Sequence, residues 1–312
     1  MTAESIPVCD FCGSMQAEPF LSLKDLRLGL PGKWDLFRCS QCGLLYLFPQ
    51  PEAWELARHY PENYHAYLSS SKGLLSRLRS FGVNRRIRAV RHFNPQGERL
   101  LDVGCATGEF LRAFADQTGW QVVGIEVIPQ AAELARQKGL EIIEQDLLNA
   151  DFPAESFDVI TLWDVLEHLT SPNAALQECR RLLKDGGLLV IKAPNPSGGE
   201  AKLFGSEWIG YEAPQHLFGF PEVVLRAHLE ALGFKEEALQ QIGSDYAAFF
   251  LSLGYWLQEH GAAHLGKLVI YLLRTRVGRV LGSIFARLLR ILGLKSSQTY
   301  FVTKSQPEIY RG

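Results

Sequence analysis

The sequence predicts a doubly wound α/β sheet, and three observations carry that prediction. From residue 98 onward, apolar runs of strand length alternate with helical stretches. The first of these runs leads straight into a glycine-rich turn, Leu100-Leu101-Asp102-Val103-Gly104-Cys105-Ala106-Thr107-Gly108. Acids then stand at the carboxyl ends of three successive strand candidates: Asp102, Glu126 and Asp146.

The strand candidates are Arg99–Val103, Gln121–Glu126, Leu140–Glu144, Phe157–Trp163 and Gly187–Ala193, with a last strand-like piece at Thr299–Thr303. Glu109–Thr118, Pro129–Lys138 and Ala174–Leu183 have helical patterns and separate the first five. Asn94-Pro95-Gln96-Gly97 breaks the chain before the first strand, and Lys184-Asp185-Gly186-Gly187 stops a helix before the fifth.

A chain of 312 residues with 47% hydrophobic content has room for a large domain and a small one, and it is not a disordered chain. The net charge of −2 hides local imbalance: seven basic residues and no acid lie between Glu62 and Glu98, and between Glu259 and Glu308 seven more, from Lys267 to Lys295, are followed by Lys304 with no acid among them. Residues 1–7 have neither a basic start nor an apolar run, so no signal peptide is expected and the cytoplasm is the default location.

Cys9-Asp10-Phe11-Cys12-Gly13 and Cys39-Ser40-Gln41-Cys42-Gly43 form two matched Cys-x-x-Cys-Gly knuckles. Four thiolates on two tight turns predict a closed tetrahedral site for a structural Zn2+, held by Cys9, Cys12, Cys39 and Cys42. A redox role for either pair is the competing reading.

In the glycine-rich turn, Gly104 and Gly108 let the backbone bend tightly beside a ligand, and small residues between them keep the approach open. Glu126 is placed to accept hydrogen bonds from ribose hydroxyls, and Asp146 to hold an adenine amino group. The nicotinamide fingerprint Gly-x-Gly-x-x-Gly is absent from this turn.

These residues, with Gln145-Asp146-Leu147, Phe157-Asp158-Val159-Ile160, Asp164-Val165-Leu166-Glu167-His168-Leu169 and Asp185-Gly186-Gly187-Leu188, resemble class I S-adenosylmethionine-dependent methyltransferases. The resemblance covers roughly residues 85–245. It implies a Rossmann-like, mostly parallel seven-stranded sheet with S-adenosyl-L-methionine as cofactor. It also implies cofactor contacts from Asp102, Gly104, Cys105, Gly108, Glu126, Asp146, Leu147 and Trp163. Ala106 departs from the family pattern, which usually has glycine there. The segment Arg38-Cys39-Ser40-Gln41-Cys42-Gly43-Leu44-Leu45-Tyr46, with Pro49-Gln50-Pro51 close behind, makes the whole chain look like the zinc-ribbon-bearing methyltransferases of bacterial sugar and small-molecule biosynthesis. Ribosomal RNA methyltransferases with a zinc module are the second group it resembles.

The expected organisation is a zinc-ribbon-like module at 1–50, a helical linker at 51–95 and a cofactor-binding core at 96–245. Apolar and basic amphipathic helices at 246–295 form an insertion before the last strand and tail at 296–312. Asp164, His168 and His216 are the catalytic candidates, the histidines as general bases, with Tyr211 and Glu212 as partners of His216. Each histidine also has a purely structural reading. The absence of an Asn/Asp-Pro-Pro-aromatic step after the fourth strand argues against adenine amino groups and leaves O-, C- or other N-methylation open.

In the tail, Arg276, Arg279, Ser283, Arg287 and Arg290 share one helical face opposite Val277, Leu281, Ile284, Phe285, Leu288 and Leu292. Such a helix suits peripheral contact of 265–295 with an anionic membrane, a homodimer interface or cover for the sheet. The acceptors in view are a small molecule, a sugar or a lipid-linked glycan. The alternatives are an RNA methyltransferase using the 72–91 basic stretch, which lacks interleaved aromatics, and a non-catalytic scaffold.

Overall fold

A computed structural model describes residues 8–59, 74–242, 246–275, 278, 281–282, 285 and 293–305. Its largest element is a seven-stranded sheet. Five strands run parallel: β4 (Arg99–Val103), β5 (Gln121–Ile125), β6 (Glu141–Ile143), β7 (Phe157–Trp163) and β8 (Leu183–Pro194). Two more, β10 (Phe234–Gln240) and β11 (Ser297–Lys304), complete the order β10-β11-β8-β7-β4-β5-β6, with β11 antiparallel to both neighbours. The strand order reverses at β4, between β5 and β7, and that reversal opens the crevice used by ligands in such sheets.

The predicted strands and crossovers are present. The helices α3 (Glu109–Thr118), α4 (Pro129–Arg136) and α5 (Pro172–Leu182) join the parallel strands, and the short α6 (Gly199–Phe204) follows β8. A 20-residue helix, α2 (Leu74–Phe93), precedes β4, and α1 (Ala53–Arg58) precedes that. Strand β8 begins earlier than the sequence suggests, because Lys184–Gly187 continue it through a register break against β7, with Gly186 at φ +72°.

Alternation along the strands divides the interior into two layers. Leu188 and Val190 face α2, α3 and α4, whereas Leu189 and Ile191 face α5 and the helix α7 (Glu222–Ala231). All four are fully buried, as sheet strands covered on both faces must be.

The N-terminal segment folds as antiparallel strands β1 (Ala17–Leu23), β2 (Trp34–Cys39) and β3 (Leu45–Phe48). Its fourth strand comes from far along the chain: β9 (Phe218–Gly219) pairs with β3 through Tyr46 and Leu45. Leu36, Leu45 and Leu47 share one apolar cluster with Leu189, Ile191 and Phe220, so the small sheet and the larger one draw on a continuous core.

Between β10 and β11 the chain forms the antiparallel pair α8 (Tyr246–Glu259) and α9 (Ala263–Arg274). The helices touch at two glycines: a Cβ on Gly266 would sit 2.3 Å from the carbonyl oxygen of Gly254. Gly266→Ala is therefore expected to push the pair apart at a cost of about 1–3 kcal/mol, read as a lower denaturation midpoint. The surface of α9 carries Leu265, Leu268, Tyr271 and Leu272 exposed in a helical stripe. The five polar-face residues from Arg276 to Arg290 lie outside the described residues. Among the described residues no helix is long and apolar enough to cross a membrane.

Candidate functional site

The carboxyl ends of β4, β5 and β7 converge on the glycine-rich turn. Gly104, Ala106 and Gly108 all take positive φ, at +69°, +49° and +74°. The alanine therefore stands in the left-handed region, which costs an L-residue about 1–2 kcal/mol and explains why glycine suits this position. Gly124 must lack a side chain because its Cβ would lie 2.5 Å from the Cys105 sulfur, which packs beneath the turn.

Glu126, only 6% exposed, fixes the turn from the next strand. Its two carboxylate oxygens accept from the Ala106 amide at 2.8 Å and the Ile128 amide at 2.9 Å. Each oxygen keeps a second lone pair for hydroxyl donors. Asp102 is buried at the end of β4 and accepts from the Thr161 hydroxyl at 2.6 Å. Burial raises its carboxyl to about 7, opposed by the Thr161 bond and the Arg86 charge and reinforced by Glu126.

That shift has a measurable consequence. Between pH 4 and 7 the folded chain keeps a proton on Asp102 that the unfolded chain has lost, so stability falls as pH rises and levels off above about 7. Asp102→Asn should remove up to about 3 kcal/mol of that dependence between pH 5 and 8, measured as denaturation midpoints at the two pH values.

Asp146 is exposed after β6, where its carboxylate caps the following turn through the amides of Leu148 at 2.6 Å and Asn149 at 3.3 Å. Leu147 is buried beside it, and Trp163 is buried at the end of β7 with its indole N–H unpaired. Phe110 meets the Trp163 ring edge-on at 5.7 Å, and the Arg86 guanidinium lies over it at 4.7 Å. Arg86 comes from the basic stretch of α2, so at least this charge serves the site, while Arg85 binds the Gln241 carbonyl.

A second group lies against the first. A Cβ on Gly104 would approach Val165 to 2.6 Å, which puts the segment 164–168 directly beside the glycine turn. Asp164 is held at φ +58° and pairs with Lys192 of β8 and, at 3.8 Å, with Arg86. Although desolvation opposes it, these two cations hold its carboxyl below the usual range.

Behind Asp164 the rings of His168 and His216 meet edge-to-face at 4.6 Å. Nδ1 of His168 lies 3.0 Å from the Gln215 carbonyl and Nδ1 of His216 lies 2.8 Å from the Gly210 carbonyl. A carbonyl only accepts, so both Nδ1 atoms carry the proton and both Nε2 atoms present lone pairs. Burial, and the proximity of the two rings in the case of His168, lower both imidazoles to about 4. Both are therefore neutral at pH 7.

The sequence reading did not select Glu167, which the structure places beside both rings. It is 1% exposed, and neither carboxyl oxygen has a hydrogen-bond partner. Burial and the neighbouring Asp164 raise its carboxyl well above the ordinary value. The Leu217 amide donates to its backbone carbonyl at 2.8 Å, tying the segment 205–218 to this turn.

The N-terminal sheet reaches the same place. His59, paired with buried Asp25 at 2.8 Å, accepts from the Gln215 side chain through its carbonyl, also at 2.8 Å. Arg27 pairs with Glu212, whose other oxygen is 3.9 Å from His216 Nε2.

The four knuckle cysteines also come together. Cys9 and Cys42 sulfurs are 3.6 Å apart, those of Cys12 and Cys39 are 3.5 Å apart, and all four lie within 4.8 Å of one another. About 3.8 Å between sulfurs is what four Zn–S bonds of about 2.3 Å in a tetrahedron require, so the set fits a closed S4 metal site. Both turns close through the glycine amide onto the first cysteine, Gly13 to Cys9 and Gly43 to Cys39, each at 2.9 Å. Asp10 of the first knuckle accepts from Ser171 and from the Asn173 amide at the start of α5, and Phe11 stacks on His228 at 3.6 Å.

Comparison with known proteins gives this arrangement a family. A methyltransferase domain model matches residues 76–239, slightly more than half of the chain. The chain belongs to the methyltransferase domain family. It is 39% identical over 122 residues to a ubiquinone biosynthesis O-methyltransferase of Cereibacter sphaeroides, covering 36% of this chain and 49% of that one. To the Xanthomonas oryzae pv. oryzae protein of the same name it is 34% identical over 144 residues, covering 43% and 60%. The chain thus spans about half the length of the curated relatives it matches. A putative sarcosine dimethylglycine methyltransferase from Galdieria sulphuraria shares the fold, with a TM-score of 0.50 at 14% identity over 73% of this chain and 86% of that one. The family match begins inside α2 and ends in β10, so the methyltransferase domain includes both clusters of site residues and leaves out β1–β3 and α8–α9.

Proposed function

We propose that this chain is an S-adenosylmethionine-dependent methyltransferase that acts on a hydroxyl group of a small-molecule, sugar or lipid-linked acceptor. The observation that carries this reading is the pairing of Glu126 with the positive-φ turn Gly104–Gly108, beside the buried Asp102. In that reading Glu126 takes the ribose hydroxyls, and Asp102 lies beneath the turn near the cationic amino acid end. Asp146 and Leu147 border the adenine, and Trp163 lines the wall.

The acceptor then occupies the space between 164–168 and 205–218. Methyl transfer from a sulfonium needs alignment and, for a hydroxyl, removal of one proton. The carbon–oxygen bond forms as the carbon–sulfur bond breaks, the electron pair stays on sulfur, and the hydroxyl proton leaves through the Nε2 side of His216 or His168. Asp164, ionised between Lys192 and Arg86, contributes electrostatic orientation rather than proton transfer. The names of the O-methyltransferase relatives support a hydroxyl acceptor.

Incubation with methyl-labelled S-adenosylmethionine and a panel of phenols, sugars and polyprenyl-linked sugars tests the proposal. Label on an oxygen of one class supports it, and label only on nitrogen or on RNA overturns the hydroxyl reading. We also propose that the S4 set holds a structural Zn2+, supported by the sulfur spacing. The exposed apolar stripe of α9, in a stretch rich in Lys and Arg, favours peripheral contact with an anionic membrane. Flotation with anionic liposomes that weakens for Leu268→Glu is the expected result; flotation equal to the parent chain contradicts it.

A further inference from the structure

We propose that Asp25 is a positioning residue for the two imidazoles on the acceptor side. From the cysteine-bearing N-terminal sheet it orients His168 and His216 through two separate chains of contacts. The proposal rests on the reading above, in which one of these rings takes the acceptor proton on Nε2.

Asp25 is buried, and its carboxylate is divided between two tasks. Oδ1 accepts from the amides of Arg27 at 3.0 Å and Leu28 at 2.8 Å, which shapes the turn after β1. That local turn needs only one oxygen. Oδ2 accepts from Nδ1 of His59, 34 positions later, at 2.8 Å. The His59 ring also meets Trp34 edge-on at 5.3 Å, so it is held from two sides.

The first chain of contacts runs through His59. Its backbone carbonyl accepts from the buried Gln215 side chain at 2.8 Å, and the Gln215 backbone carbonyl lies 3.0 Å from Nδ1 of His168. Anchoring the side chain fixes the carbonyl that keeps the His168 proton on Nδ1. A general base works only in the right tautomer and orientation, and a third group behind it commonly supplies both.

The second chain runs through Arg27. Its guanidinium pairs with one oxygen of Glu212, and the other Glu212 oxygen stands 3.9 Å from Nε2 of His216. At that distance no hydrogen bond forms. A closer carboxylate would hold a proton on Nε2 and remove the lone pair that the acceptor hydroxyl needs. Arg27 therefore keeps Glu212 near enough to stabilise a protonated His216 but too far to protonate the resting ring.

Asp25, Arg27 and His59 lie outside the residues matched by the methyltransferase domain, whereas Gln215, Glu212 and both histidines lie within them. The N-terminal sheet is then a working part of the acceptor side and not only a metal-held appendage.

The test uses the full chain with heavy nitrogen in its histidine rings, without cofactor or acceptor. Long-range proton–nitrogen correlation spectra read the tautomer of each ring, and His168→Gln and His216→Gln identify the two signals. Both parent rings should carry the proton on Nδ1 alone. Asp25→Ala should abolish that single pattern in both rings and Gln215→Met in His168, while Arg27→Gln should move the His216 proton to Nε2. A cooperative denaturation transition above the measuring temperature is the folding control for each variant. Parent-like patterns for both rings in folded Asp25→Ala overturn the proposal. If Asp25→Ala fails that control, a parent-like His168 in Gln215→Met together with a parent-like His216 in Arg27→Gln overturns it. Rings that move as expected in a chain that binds no S-adenosylmethionine uphold the positioning role and sink the methyltransferase reading instead.

Discussion

Replacing Glu126 with alanine should weaken S-adenosylmethionine binding by a hundredfold or more. Two hydrogen bonds from ribose hydroxyls to a carboxylate contribute about 1.5–3 kcal/mol each, or roughly 3–6 kcal/mol together. The substitution also releases the amides of Ala106 and Ile128, which Glu126 holds at 2.8 and 2.9 Å, so the turn loses its brace as well as its ligand contact. Glu126→Gln retains one acceptor oxygen and should fall between the two. Isothermal calorimetry on both variants checks the order, with a cooperative denaturation transition above the assay temperature as the folding control. Equal affinity in all three proteins would remove Glu126 from the cofactor site.

The second large effect is expected at the cysteine knuckles. Cys39→Ser should lower bound zinc from one per chain to none, since a site built from four thiolates loses most of its affinity with one. Structural zinc contributes on the order of 10 kcal/mol in small domains, more than three short strands can supply alone. The N-terminal sheet should therefore loosen, and protease should cut between Lys24 and Lys33. The damage should also reach the core, because Asp10 caps the start of α5 and Phe11 stacks on His228. Metal analysis with limited proteolysis measures both outcomes. A wild-type chain free of zinc, or a Cys39→Ser protein as resistant as the parent, would contradict the S4 assignment.

The parts of this fold that were legible in the sequence share a physical cause. Strands β4, β7 and β8 are covered on both faces over most of their length, so they read as largely apolar runs between turn residues. Strand β10 was not legible because Phe234-Lys235-Glu236-Glu237 is an edge strand whose side chains reach water, and its charges look like a helix surface or a loop. Strand β9 is two residues long and exists only because β3 lies beside it.

The candidate site divides along the same line. Gly104, Gly108 and Glu126 were legible because local backbone demands fix them. Ala106 concealed the positive φ that its position requires, and only the structure shows that the left-handed conformation persists without glycine. Glu167 stands in the 164–169 motif but is not among the catalytic candidates, because nothing local in the sequence shows that it is buried. What buries it is the segment around His216 and Leu217, nearly fifty residues later. The ties from Arg27 and His59 to Glu212 and Gln215 were likewise invisible, because they join the N-terminal sheet to the acceptor side across more than 150 positions.

Calorimetric titration of the wild-type chain with S-adenosylmethionine, repeated with S-adenosylhomocysteine, tests the central claim most directly. One site per chain for each ligand is predicted. Affinity for S-adenosylmethionine should rise between pH 5.5 and 8 as Asp102, raised to about 7, becomes ionised beside the bound cation. No heat with either ligand at millimolar concentration would contradict the account, as would binding of a nicotinamide dinucleotide in the same crevice.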